Sequence, residues 1–213
     1  MPTYDVAENT YIPYTPCVAH NSQPKNNNVK LRIIFPDVWE HTYENRFNNA
    51  CLGRFERFMI KELSDVLRQD NGLVYGFSGL MVGNYHHAWN GFSTETSADN
   101  LPRVVSLIAQ NASRIYKSPA ITADVLDRYG RKDKLGEADW LESATARCEK
   151  LLVYYRYNGR LYDFYDTVDM YAKITPEDTV KYSRGYFDGP MSIVTQGADF
   201  DADLKQIWID NFK

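Results

Sequence analysis

The feature that most constrains the fold is an apolar stripe in the first third of the chain. Apolar residues recur there at every fourth position, namely Phe47, Cys51, Phe55, Met59 and Leu63. Because one face of an α-helix is made of residues three or four positions apart, this spacing predicts a long amphipathic helix over residues 43–68. Asn71-Gly72 is predicted to end it, since glycine commonly follows a helix C-terminus.

Four stretches around this helix have the alternation or the β-branched content of strands, and they cover residues 29–35, 74–82, 87–96 and 191–195. The middle two are predicted to form an antiparallel pair joined at Gly83-Asn84, a typical turn sequence. Strands that follow one another through short connections favour an antiparallel sheet.

Further helices are predicted after the strand pair. Ser97 is expected to be the N-cap of a helix that carries Leu101 to Ile115, and helical patterns follow over residues 122–152, 161–172 and 201–212. Thr175-Pro176-Glu177-Asp178 is the strongest start signal, with a capping hydroxyl, proline at the first position and acids in the first turn.

The order of elements predicts an α+β fold, with an antiparallel-rich sheet and helices packed on one face. Residues 1–28 contain four prolines and the run Asn26-Asn27-Asn28, and they are predicted to be a leader or linker. Residues 29–213 are predicted to form a single domain, which is a size that one core can support.

Composition excludes several classes of function. The net charge is −4 without a basic run, so nucleic-acid binding is not expected. No signal peptide and no apolar run of bilayer length is visible, so we expect no membrane contact. Three scattered cysteines fit neither a disulfide framework nor a metal knuckle, which favours a reducing, cytoplasmic location.

Residues 58–75 carry a resemblance to a known family. A helix ends in Leu67-Arg68, a short turn follows, and Gly72-Leu73-Val74-Tyr75 opens a strand. Together with residues 94–101, 174–180 and 191–195, taken in that order, this stretch resembles the second, non-catalytic half of the pitrilysin/insulinase-type zinc peptidases, the inverzincins. The fold expected from this resemblance is the half-domain found in mitochondrial processing peptidase.

The resemblance implies a function as a non-catalytic partner half. It implies that Arg68 and Tyr75 hold a peptide substrate, while a separate domain with a His-x-x-Glu-His motif supplies zinc. The expected partner is that catalytic half, in the same polypeptide or as a separate subunit, or else a second copy in a homodimer. The alternative is a structural or interaction subunit that has the same fold and no role in proteolysis.

The residues themselves leave two interpretations of this pair open. An arginine at a helix C-terminus is favoured by the helix dipole, and a tyrosine beside a strand is often there for packing. Alternatively, a guanidinium and a phenol hydroxyl a short turn apart are both donors suited to one peptide carbonyl.

No zinc ligand set is found in the sequence. The nearest approach to the family's motif is His41-Thr42-Tyr43-Glu44-Asn45, in which an amide replaces the second histidine. His86 and His87 are strand neighbours, so their side chains are expected on opposite faces. Cys51 belongs to the apolar stripe and is interpreted as a core residue. We therefore predict no metal, cofactor or catalytic residue in this chain.

We predict that the purified chain holds no stoichiometric zinc and cleaves no peptide alone, because it lacks a ligand set. Elemental analysis of the metal-free preparation after incubation with zinc checks this. One tightly bound zinc per chain that is lost in His41→Ala would contradict it.

Overall fold

The computed structural model describes residues 17–23, 26–39, 42–83, 88–158 and 164–213. Within them, five strands form one sheet in the order β1-β5-β2-β4-β3. The strands are β1 (Val18–Ser22), β2 (Asn28–Pro36), β3 (Phe77–Gly83), β4 (Ala88–Ser97) and β5 (Ser192–Gly197). All pairs are antiparallel except β1 with β5, which run parallel.

Among the described residues, one helix precedes the antiparallel pair β3 and β4, and the other helices follow it. The helices are α1 (Arg46–Ser64), α2 (Leu101–Lys117), α3 (Ala123–Glu142), α4 (Ala144–Asn158), α5 (Phe164–Ala172), α6 (Pro176–Ser183) and α7 (Leu204–Asn211). A π-helical segment, Asp65–Asp70, continues α1 without a break. The predicted α+β class, with an antiparallel-rich sheet and helices on one face, is confirmed.

Strand β2 lies at the centre of the sheet and pairs with both β4 and β5. Its alternate side chains Val29, Leu31, Ile33 and Phe35 are fully buried. Lys30 and Arg32, on the opposite face, are exposed. Because successive side chains of a strand point to opposite faces, this pattern places the helical layer on one side of the sheet only.

Helix α1 carries the predicted apolar stripe into the core. Cys51, Phe55, Met59 and Leu63 have no exposed surface, whereas Phe47 at the start of the helix is half-buried. The helix begins at Arg46, three residues later than predicted, because residues 42–45 form a bend and a turn. The long helix predicted from the spacing of these residues is confirmed.

The core beside β2 is largely aromatic. The ring of Phe35 contacts those of Phe92, Tyr186, Phe187 and Trp208 at centroid distances of 6.1, 5.4, 4.9 and 5.9 Å. Edge-on and tilted pairs of this kind add to the free energy gained by burial alone. Burial, with help from the nearby Glu56, raises the pKa of Tyr186 well above its usual value.

Strand β1 falls within the stretch that was predicted to be a leader or linker. All five of its residues are exposed, yet its backbone pairs with β5 from Val18 opposite Ile193 to Ser22 opposite Gly197. The ring nitrogens of His20 lie 3.0 Å from Thr195 Oγ1 and 3.1 Å from Asp199 Oδ1. Hydrogen bonds from Ser22 and His20 lower the pKa of Asp199.

Residues 1–16 lie outside the described residues, so the division into a leader and one domain stays a prediction.

Ser97 is not the N-cap of α2, and that prediction is wrong. Ser97 is the last residue of β4, where it pairs with Asn28, and the helix starts only after Asn100. The sheet register keeps Ser97 in the ladder, and its hydroxyl accepts a hydrogen bond from the Asn100 N–H at 3.3 Å within the intervening turn.

Helix α6 begins at Pro176, as predicted, with Thr175 as its N-cap. The Thr175 hydroxyl accepts a hydrogen bond from the Asp178 N–H at 3.0 Å, and the Thr175 N–H donates to Asp178 Oδ2 at 3.2 Å. This reciprocal capping box satisfies two backbone donors that the first turn would otherwise leave free.

None of the helices in the described part of the chain is both long enough and apolar enough to span a bilayer.

We predict that Thr175→Ala lowers the free energy of unfolding by about 1 kcal/mol, because it removes the hydroxyl that accepts a hydrogen bond from the Asp178 N–H in the first turn. Denaturant unfolding measures the change. Thr175→Ser is the matched control, since it keeps the hydroxyl. Equal stability of the alanine and serine variants would show that the cap contributes nothing.

The three thiols should differ sharply in reactivity. Cys17 and Cys148 are exposed, whereas burial raises the pKa of Cys51 to about 12. Since the thiolate is the reactive form, two thiols of the native protein should react with Ellman's reagent at mildly alkaline pH and Cys51 only after unfolding. In a Cys51→Ala variant, denaturant should release no further thiol. Reaction of all three thiols in the native state would contradict the assigned burial.

Candidate functional site

The two residues predicted to bind substrate lie on one connection, between α1 and β3. Arg68 belongs to the π-helical segment and is exposed; its side chain has no hydrogen-bond or ion-pair partner among the described residues. Tyr75 lies beyond the segment and is 84% exposed. We call residues 68–76, which contain both side chains, the corner.

The backbone of the corner is reversed at Gly72. Gly72 has φ of 61°, a conformation that side chains with a Cβ rarely adopt. Its N–H donates to the Arg68 carbonyl at 3.2 Å, and the Leu73 N–H donates to the Leu67 carbonyl at 2.9 Å. Arg68 is therefore held by the turn through its own carbonyl oxygen.

Two threonines of β4 fix the second half of the corner. Thr96 Oγ1 donates to the Leu73 carbonyl at 2.7 Å, and Thr94 Oγ1 donates to the Gly76 carbonyl at 2.6 Å. The Leu73 and Val74 side chains between these bonds are buried. Tyr75 thus projects from a backbone that is tied down on both sides.

Tyr75 is not the start of a strand, which corrects the predicted range 74–82. Ladder pairing with β4 begins only at Phe77, opposite Thr94. The reason is that the carbonyls of Leu73 and Gly76 bond to threonine hydroxyls instead of to backbone N–H groups of β4.

A further contact ties the corner to α2. Arg103 Nη2 donates to Asn71 Oδ1 at 3.0 Å, and Asn71 Nδ2 donates to the Val66 carbonyl at 2.7 Å. Sequence analysis did not single out Arg103, because it is exposed on α2 and far from the corner in sequence. The sequence signal for this contact is Asn71, because an asparagine amide can form hydrogen bonds on both sides of a turn.

The corner therefore offers hydrogen-bond donors to solvent on a fixed backbone. Arg68 supplies up to five N–H donors and Tyr75 one phenol O–H. Such donors suit the carbonyl oxygens of an extended peptide, and a charged donor forms the stronger bond.

The described residues do not form a zinc site. No group of three or more His, Cys, Asp and Glu that could hold a metal occurs among them. His20 is engaged with Thr195 and Asp199, and the histidines of the weak motifs, His41, His86 and His87, lie outside the described residues. The absence of zinc from the chain stays a prediction.

A second feature was missed by the sequence analysis. A cavity of about 540 Å³ opens between α3, α5 and the start of α6, with Arg54 of α1 in its wall. The signal that could have found it is Arg54 itself, a charged residue inside the apolar stripe between Cys51 and Phe58. We call it the α3–α5 cavity.

Several solved structures have a fold similar to that of this chain. The inactive domain of an M16 peptidase from Pseudomonas fluorescens superposes with a TM-score of 0.71 and 16% identity, over 87% of this chain and 44% of that one. A predicted insulinase family protease from Yersinia pestis superposes with a TM-score of 0.72 and 10% identity, over 94% of this chain and 47% of that one. A chain of complex III2 from Candida albicans superposes with a TM-score of 0.68 and 11% identity, over 91% of this chain and 49% of that one.

The chain thus spans less than half the length of each of these three matched chains. No protein-family model matches the sequence, and no curated protein matches it either. The likeness is therefore one of fold, and it agrees with the resemblance drawn from residues 58–75. The chain has the fold of the inactive half-domain of the pitrilysin/insulinase-type (M16) peptidases.

Proposed function

We propose that this chain is the non-catalytic half of a zinc peptidase and holds peptide substrate at the corner through Arg68 and Tyr75. A separate domain with the His-x-x-Glu-His motif supplies the zinc. The likeness to the inactive domain from Pseudomonas fluorescens supports a partner role. The role of the two side chains rests on the geometry of the corner.

The observation that carries the proposal is the exposure of Tyr75. A tyrosine that is 84% exposed gains little from packing, whereas Leu73 and Val74, which precede it, are buried. Fixing an exposed aromatic on a tied backbone does not help a monomer fold, but it lowers the entropy lost when a ligand binds. Arg68, which is also exposed and has no side-chain partner among the described residues, lies at the other end of the same corner.

Exposed apolar side chains support association with a partner. Leu135 of α3 and Leu151, Leu152 and Tyr155 of α4 are 66, 42, 66 and 60% exposed. Large exposed apolar side chains on two consecutive helices are candidates for a surface that another protein covers. The partner we propose is the catalytic half, and a homodimer is the alternative.

A second candidate function is that of a structural subunit without a role in proteolysis. The similar fold of a chain in complex III2 from Candida albicans favours it. In that case Arg68 and Tyr75 would contact another protein chain or solvent, and their removal would leave any proteolysis unchanged.

We predict that Arg68→Ala and Tyr75→Phe each lower turnover of the assembled enzyme, with fluorescein-labelled casein as substrate, by about a hundredfold, as expected when one donor to a developing oxyanion is lost. Ground-state binding should weaken less than turnover falls, because these donors act on charge that appears in the transition state. Rates are normalised to folded protein. The thermal midpoint should be unchanged, since both side chains are exposed.

A matched control separates this role from a general surface effect. Arg128→Ala removes an exposed guanidinium from α3, outside the corner. It should retain full turnover. Full turnover in the Arg68 and Tyr75 variants as well would refute substrate holding and favour the structural subunit.

A further inference from the structure

Strand β3 is an open edge of the sheet. It pairs with β4 along its whole length, and within the described residues no strand lies on its other side. Its seven residues include no proline and no ionisable side chain. Edge strands of natural proteins are usually short, or are guarded by a charge, a proline or a covering segment, because their free N–H and C=O groups can pair with another strand. An unguarded edge of this length therefore indicates a strand partner.

The side chains of β3 alternate between the two faces of the sheet. Gly79 pairs with the buried Phe92 of β4, so Phe77, Gly79 and Met81 lie on the face that carries the helices. Helix α1 covers this face at Gly79, since a Cβ placed there would lie 2.5 Å from Ile60 Cδ1. Met81, two residues further along, is nevertheless 71% exposed. The helical face of this edge thus has a bare apolar side chain beside a glycine.

A second copy of β3 matches this edge in size. If the two strands run antiparallel about a two-fold axis at Leu80, Phe77 lies opposite Gly83 of the other copy, and Gly79 lies opposite Met81. On the helical face each large side chain then meets a glycine. A shift of the pairing by two residues in either direction would instead place large side chains opposite each other and glycine opposite glycine.

The other face and the charge of the strand agree with this pairing. Leu80, which points away from the helices, would meet Leu80 of the other copy, and apolar cross-strand pairs stabilise a sheet. Because the strand carries no charge, two identical copies do not repel each other along this edge. A strand of unrelated sequence would satisfy the backbone groups equally well, but it would not reproduce the match of large residues to glycines.

We infer that β3 is a dimer interface that takes β3 of a second copy of this chain. The two five-stranded sheets would join into one continuous sheet across the two-fold axis. Both copies use the same surface, so the contact closes on itself and does not propagate into a fibre. Met81 would lose its exposure against Gly79 and Ile60 of the other copy. The inference does not rest on the proposed function, and its test needs no catalytic half.

The first measurement is sedimentation velocity of the purified full chain over a range of concentrations. One edge strand makes a small interface, so we expect a weak dimer whose fraction rises with concentration. The limiting mass should be twice the 24.6 kDa of one chain. Hydrogen exchange followed over the same range should show protection gained by alternate amides of β3, those that point away from β4, and none gained by amides of α3 or α4.

A charge swap at the two-fold axis tests the register. Leu80 is half-buried, so Leu80→Lys and Leu80→Glu should keep the fold, which their thermal midpoints check. Each variant places two like charges opposite each other, and its self-association should be weaker by about tenfold. An equimolar mixture of the two variants should associate again, because lysine then faces glutamate. Val18→Lys and Val18→Glu are the matched controls, since Val18 is 55% exposed on β1 at the other edge of the sheet.

Four results would overturn the inference. A chain that stays monomeric at every concentration would leave this edge to a strand of another protein. Association without new protection in β3 would place the contact between copies on another surface. Unchanged association of the folded Leu80 variants would show that this residue does not lie at the contact. A mixture that associates no better than either variant alone would exclude the two-fold register, and the exchange measurement on the unaltered chain decides the matter even if a Leu80 variant fails to fold.

Discussion

The whole arrangement depends on the burial of one face of strand β2. Backbone pairing with β4 on one side and β5 on the other fixes its position, and Leu31, Ile33 and Phe35 then present a continuous apolar surface. The apolar stripe of α1 belongs to the same core, and the Phe35 ring contacts Tyr186, which precedes β5, and Trp208, which follows it. The corner and the α3–α5 cavity lie on elements that are held, directly or through α1, by this core.

Most of the core could be predicted from the sequence, because its elements have a strong apolar period. Strand β2 alternates and α1 repeats every fourth residue, so both patterns are visible without a structure. Strand β1 could not be predicted. It is an edge strand whose residues are all classed as exposed, and it is held by backbone bonds to β5 and by the polar contacts of His20, so Val18–Ser22 show no apolar period. Ser97 was misplaced because sheet register, which is a long-range property, overrides local capping preference.

The candidate site could be predicted from the sequence only in part. Local signals located the turn at Gly72, and the resemblance to the zinc peptidases drew attention to Arg68 and Tyr75, but the anchors Thr94 and Thr96 come from another strand. The cavity depends on α3 and α5 meeting over α1, which no local pattern reveals. Arg54 was the available sign: a cation within an apolar stripe must find a partner in the fold, and here it finds Asp133 of α3.

The parallel pairing of β1 with β5 has a consequence for the order of folding. His20 and Thr195, which face each other across it, are 175 positions apart in the chain. Contacts between such distant residues close a long loop before any stabilisation is gained, and folding slows as they become more frequent. During synthesis the segment of β1 must wait until β5, about 175 positions further along the chain, has left the ribosome. Until then the sheet lacks its β1–β5 edge, and its unpaired backbone groups can bond to strands of other chains. Pairing of β1 with β5 ends this exposure.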